Sequence, residues 1–197
     1  MVKIVLASAS PARSAVLGNA GIEFTTRPAN IDERAIEKPL AASGELPERI
    51  AMALARAKAL AAANDQPDAL IIGADQILSA DGRRWNKPAS LVEARDQLMM
   101  LSGRTHELYS AIAVVRAHKV IWQHGEIAKM TMRHLTRDFV DQYLAEIGTE
   151  ALSSVGAYQI EGPGIQLFER IEGDYFTILG LPLLPLLGYL REFGAIK

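Results

Sequence analysis

Three observations predict an α/β fold. Strand-like and helix-like segments alternate from end to end, no repeat or low-complexity tract interrupts them, and 197 residues at 49% hydrophobic content suffice for a real core. A mixed sheet with some antiparallel pairs and flanking helices accounts for that order. The core belongs to one domain, or to two lobes sharing a sheet, with residues near 110 to 150 as a separate lobe if there is one.

The elements follow in order. Residues 2 to 7, VKIVLA, form a β-branched and aliphatic run of strand type. Ser10 followed by Pro11 starts a helix, because the serine side chain can cap free backbone N–H groups and proline is tolerated in the first turn. That helix runs through ARSAVLGNA to near Gly21. The polar stretch TTRPANIDERAIEKP reads as a strand end and a loop carrying Asp32 and Glu33, and PERIAMALARAKALAAAN as a clear helix. ALIIGADQIL, residues 69 to 78, reads as a buried strand broken at Gly73, with Asp75 at or just past the break.

RRWNKP is a turn-rich connection, and LVEARDQLMMLSG an amphipathic helix ending at Gly103. ELYSAIAVVRA and KVIWQHGEIAKMTMRHL look like paired strands with a turn near residues 117 to 119. RDFVDQYLAEIG is a helix opened by a Thr136 cap. GAYQIEGPGIQLFERIEGDYFT reads as a glycine-studded loop and two short strands turning at Gly173. LPLLPLLGYLREFG closes the chain as a helix with prolines only in its first turn.

Composition narrows the function. The formal net charge is −2, and no basic run is interleaved with aromatics, so nothing suggests nucleic acid as a partner. The absence of cysteine removes disulfides, thiolate nucleophiles and cysteine-ligated zinc. The opening residues lack the pattern of a signal peptide, and the longest apolar stretch, ILGLPLLPLLGYL, falls short of the roughly 20 residues a membrane span needs. A cytoplasmic protein without a membrane partner is the expectation.

A few polar residues carry the chemistry. Asp75 stands where a buried apolar strand ends, which is costly unless the acid is solvated, paired or holding a metal. It is either a turn aspartate bonding its own backbone or a site residue. Lys58 shares a helical face with Ile50 and Leu54 through successive i+4 steps, so it either snorkels from the core edge or points into a cleft. Ser8, Ser10, Arg13, Lys58 and Lys87 are phosphate-binding types. A helix N-terminus beside a strand end suits an anion, although Ser10 can simply cap while Arg13 lies in solvent. Glu33 and Asp75 are carboxylates able to hold Mg²⁺ together with substrate phosphates. No P-loop, dinucleotide fingerprint or nucleophile elbow is present.

In this order and spacing, LASASPAR, IDE, LARAKA, GADQ, NKP, LSGRTHELYSAIAV, GAYQIEGPG and ERIEGDYFTILGLP resemble the Maf family of nucleoside triphosphate pyrophosphatases over nearly the whole chain. The resemblance implies a single Maf-like domain, residues 1–197. Its fold would be inosine triphosphatase-like, a mixed twisted sheet flanked by helices, with a deep cleft between two lobes. It implies a hydrolase of acid anhydrides, a nucleotide diphosphatase that uses a divalent metal cation, Mg²⁺ or Mn²⁺, to split a nucleotide into its monophosphate and pyrophosphate, cleansing the nucleotide pool. It further implies a nucleoside triphosphate as the partner and, as often in the family, a homodimer.

Carried over, Asp75 matches the general base, and Ser8, Ser10 and Arg13 the N-terminal phosphate block. Lys58 and Lys87 match two phosphate-neutralising lysines, while Glu33, with Asp75, stands near the metal. Ala12, Gln76 and Glu161 occupy three positions associated with base selection, and together they look like the subgroup acting on 7-methyl-GTP. A carboxylate at 161 accepts from both guanine donors, N1–H and the 2-amino group, and repels the carbonyls flanking the single N–H of uracil or thymine. SGRTH at 102 to 106 follows the members acting on dTTP and UTP instead. A non-catalytic nucleotide-binding regulator of cell division is the reading from another class.

Overall fold

The computed structural model describes residues 2–64 and 66–197. Among them seven strands form one mixed sheet in the order β2-β1-β3-β5-β6-β7, with β4 also paired to β3. The strands are β1 (Ile4–Leu6), β2 (Thr25–Thr26), β3 (Leu70–Ala80), β4 (Arg83–Trp85), β5 (Thr105–Arg116), β6 (Lys119–Met132) and β7 (Phe168–Glu172). The helices are α1 (Pro11–Asn19), α2 (Glu33–Ala42), α3 (Pro47–Ala62), α4 (Leu91–Leu101), α5 (Arg137–Ile147), α6 (Tyr175–Ile178) and α7 (Leu183–Glu192). β1 runs parallel to β2 and β3, while β4 pairs antiparallel with β3 and β7 with β6. The α/β class and the mixed sheet agree with the sequence reading.

The chain divides into two compact units, one of residues 1–76, 109–127 and 174–197, the other of 77–108 and 128–173. In the first, Leu6, Leu17, Leu70, Ile72, Ile112, Val114, Leu186 and Leu190 pack into one apolar cluster, to which α7 presents Leu183, Leu186 and Leu190. A second cluster, on Val5, Ile71 and Val115, is completed by Ala59, Ala62 and Ala63 of α3 and the residue after it. The alanine density of residues 51 to 63 is therefore a packing feature. In the second unit α4 packs against α5, and Arg95 forms an ion pair with Asp141.

Four expectations are corrected. Glu33 lies not in a loop but at the start of α2, because the Asp32 side chain accepts a hydrogen bond from Ala35 N at 3.1 Å and an acid in the first turn suits the helix dipole. Gly73 does not break its strand. β3 runs unbroken through it, and Asp75 lies in mid-strand. Arg83–Trp85 of RRWNKP pairs as β4 in place of a turn. The glycine-studded loop contains short 3₁₀ turns and is followed by one strand only, since Asp174 accepts from Phe176 N and Thr177 N and winds the next residues into α6. The turn between β5 and β6 uses Ala117 and His118, both at positive φ.

Candidate active site

The site in the first unit starts from a glycine. A Cβ on Gly73 would stand 2.2 Å from Ala55 O and 2.7 Å from Ala59 N, so only glycine lets α3 lie this close to β3. That approach places Lys58 Nζ 2.6 Å from Asp75 Oδ1. Lys58 also reaches Glu33 Oε1 at 3.0 Å, so one ammonium is shared by two carboxylates, from mid-strand β3 and the first turn of α2. The side chains of Lys58 and Asp75 are nearly buried, and Glu33 is half exposed. Burial pushes the Asp75 carboxyl above the usual carboxylate range, against the pull of Lys58 and Arg13.

The N-terminal block converges in the same unit. The Ser10 side chain caps α1 by accepting from Arg13 N at 3.4 Å, and buried Ser8 Oγ accepts from Ser10 N at 3.2 Å. The Arg13 guanidinium does not lie in solvent. Its Nε donates to Gly180 O at 2.8 Å, and its Nη1 to Ala74 O at 2.9 Å and to Ser8 Oγ at 3.4 Å. A Cβ on Gly180 would come within 3.1 Å of that guanidinium. Burial lowers the Arg13 pKa, while Asp75 and Glu33 act to raise it. Ala12 occupies the first turn of α1.

Gln76 turns away from Asp75, as successive strand residues must. Its Nε2 contacts Ser110 Oγ at 3.0 Å and donates to Thr177 O at 3.1 Å and Ile178 O at 2.9 Å. Ser110, Thr177 and Gly180 lie within the LSGRTHELYSAIAV and ERIEGDYFTILGLP blocks, but only the folded topology brings them together with Gln76 and Arg13, so the sequence assigned them no part.

Lys87 and Glu161 belong to the second unit, both exposed. Gln97 of α4 donates to Asn86 O at 3.1 Å and holds the NKP segment. The loop bearing Glu161 is anchored by packing. A Cβ on Gly156 would meet the Tyr158 ring at 2.6 Å, and one on Gly164 would meet Gln159 O at 2.3 Å. Tyr158 is buried and shares a 2.6 Å hydrogen bond with His106 Nε2. Its ring meets Phe168 edge-on at 4.8 Å, so it is a core aromatic of that unit.

A family model described as Maf-like protein matches residues 3–193. The chain belongs to the Maf family. A relative from Rhizobium meliloti named 7-methyl-GTP pyrophosphatase is 58% identical over 193 residues, 98% of this chain and 97% of the relative. One of the same name from Brucella abortus is 57% identical over 97% of this chain and 96% of its own length. A relative from Nitrobacter winogradskyi named nucleoside triphosphate pyrophosphatase is 51% identical over 96% and 93%. Within this Maf chain, no helix of the described residues is long and apolar enough to cross a membrane.

Proposed function

We propose that the protein is a nucleoside triphosphate pyrophosphatase that hydrolyses its substrate between the α and β phosphates. The observation that carries the reading is Asp75, a buried carboxylate held at 2.6 Å by Lys58 and aligned by the close approach of α3. Asp75 takes a proton from water as the water oxygen bonds the α phosphorus. The bond from that phosphorus to the bridging oxygen breaks, and pyrophosphate leaves from the nucleoside monophosphate. A carboxyl whose pKa burial has raised is a better proton acceptor near neutral pH than an exposed one. Lys58, Lys87, Ser8, Ser10 and Arg13 bind the phosphates, and fixed cations aimed at developing charge supply most of the catalysis in phosphoryl transfer.

A divalent cation fits the donor set, because Glu33 and Asp75 already converge on one cationic group, and Mg²⁺ binds one or two carboxylates plus substrate phosphates. Bound there, it would supply Lewis-acid polarisation of the phosphoryl oxygens. The reading treats residues 1–197 as one Maf-like domain working on a small molecule in the cytoplasm. The preferred substrate is 7-methyl-GTP or a related modified purine nucleotide, selected through Glu161 and the bare Ala12. The names of the Rhizobium and Brucella relatives support that preference. SGRTH favours a second reading, dTTP or UTP.

Incubation with Mg²⁺ or Mn²⁺ and 7-methyl-GTP, GTP, UTP and dTTP, with pyrophosphate as readout, tests both. Release is expected fastest from 7-methyl-GTP. Faster turnover of UTP or dTTP overturns the base assignment alone, and nucleotide binding without any pyrophosphate overturns the enzyme.

A further inference from the structure

α6 is four residues long, too short to persist on its own hydrogen bonds. Its N-terminus is capped by Asp174, and at its C-terminal end Thr177 O, which accepts from Gly180 N at 3.0 Å, and Ile178 O also receive side chains from elsewhere in the first unit. Gln76 Nε2 donates to Thr177 O and Ile178 O, Ser110 Oγ donates to Thr177 O at 2.7 Å, and Arg13 Nε donates to Gly180 O. On its other side, the Thr177 hydroxyl donates to Glu126 Oε2 at 2.5 Å, and Glu126 Oε1 lies 3.0 Å from His124 Nε2. Thr177 and Ser110 are almost fully buried, so these bonds form away from competing water.

The placement along β3 gives this network its consequence. Arg13 holds Ala74 O, and α6 holds the side chain of residue 76, so the two neighbours of Asp75 are both tied to the 177–180 segment. Asp75 itself faces the other side of the strand, toward Lys58. The strand is thus tied to the 177–180 segment at the positions on either side of Asp75.

We propose that Gln76, with Ser110, is a positioning residue for Asp75: its amide fastens the end of α6 to the back of β3 and so fixes where the carboxylate stands. The inference rests on the pyrophosphatase reading. It gives Gln76 a part different from the base selection that the resemblance attaches to it, because the amide nitrogen spends its donors on the protein's own carbonyls. Misplacing a reacting group by about 1 Å costs on the order of 10²-fold in rate, so loosening this tie should appear in kcat.

The test is steady-state kinetics of full-length Gln76→Ala, Gln76→Met and Ser110→Ala on 7-methyl-GTP, GTP and UTP, with thermal unfolding beside it. Gln76→Met keeps the bulk of the side chain and removes its donors, so it separates hydrogen bonding from packing. Both Gln76 variants should lose at least about tenfold in kcat on every nucleotide, with KM and the ratios between nucleotides held within about threefold. Ser110→Ala should lose less, since Gln76 still holds Thr177 O. If Gln76→Ala fails to fold, Gln76→Met and Ser110→Ala carry the test.

A shift of more than about tenfold in the 7-methyl-GTP to UTP ratio, with kcat kept on one of them, would make Gln76 a base reader and overturn the inference. A lowered Tm with kcat unchanged would overturn it as well, leaving a purely structural tie. Wild-type protein that releases no pyrophosphate overturns the underlying pyrophosphatase reading. Active wild type with fully active variants overturns this inference alone.

Discussion

In the first unit the charged groups drawn out of water neutralise one another. The cost of removing Arg13, Lys58 and Asp75 from water is offset by mutual attraction and by backbone carbonyls. In the second unit one buried pair is neutral and leans on an aromatic ring. His106 and Tyr158 share a hydrogen bond, Phe168 closes over both, and His106 Nδ1 has no partner among the described residues. A domain kept only for stability has little use for the first arrangement, since well-packed apolar residues would serve as well. The contrast marks the first unit as the place where charge is kept for chemistry.

The largest effect is expected from Asp75→Asn. The amide preserves shape and removes the proton acceptor, so pyrophosphate release should fall by about 10²–10⁴-fold while the circular dichroism spectrum stays native. A folded, active variant would return the charged cluster to a structural role. Next in size is Gly73→Ala. Its Cβ would stand 2.2 Å from a backbone oxygen, which cannot swing aside as a side-chain tip can. Stability should drop by about 3 kcal/mol or more in urea unfolding, and activity should fall with it as Lys58 is pushed from Asp75. Unchanged stability would show that α3 does not owe its position to the glycine.

One buried group in each unit responds to acid in the opposite sense to the other. Burial raises Asp75, so the folded state holds that proton more tightly than the unfolded chain does. Burial lowers His106 from 6.5 to about 4. Between those two pH values the unfolded chain binds a proton that the folded histidine refuses. The contribution of His106 is therefore complete above about pH 6.5 and is lost as pH falls toward 4. The gap corresponds to about 3 kcal/mol at most. Urea midpoints at pH 7 and pH 4.5 should differ by less in His106→Phe than in wild type. An equal difference in both proteins would assign the acid sensitivity to other groups.

How far the sequence could be read follows the distance between partners. The Ser10-Pro11 helix start and the Ile50, Leu54, Lys58 stripe depend on neighbours three or four residues away, and both stand in the structure as expected. Gly73 has two local meanings, a break or a close approach, and Ala55 of α3 decides between them. Pro39 lies inside α2 and disguised it as a loop, while α6 is too short to show a period. Gln76 and Arg13 find their partners about 100 and more than 150 residues away, where no sequence window reaches. The residue types of the site were legible, and the bonds that fix them were not.

The smallest expected effect tests whether the second unit takes part in selection. Glu161 is exposed, so Glu161→Gln should leave stability unchanged. A carboxylate accepts two hydrogen bonds from the N1–H and 2-amino group of guanine, and it also favours the cationic 7-methylated base. The amide accepts one of those bonds and turns a donor toward the other, and that same donor suits a uracil carbonyl. The ratio of kcat/KM for 7-methyl-GTP over UTP should therefore fall by about tenfold, through loss on the first nucleotide and gain on the second. Equal losses on both would mean that Glu161 supports binding without reading the base. An unchanged ratio would take the residue out of selection and leave discrimination to the first unit, where Ala12 stands at the phosphate-binding helix.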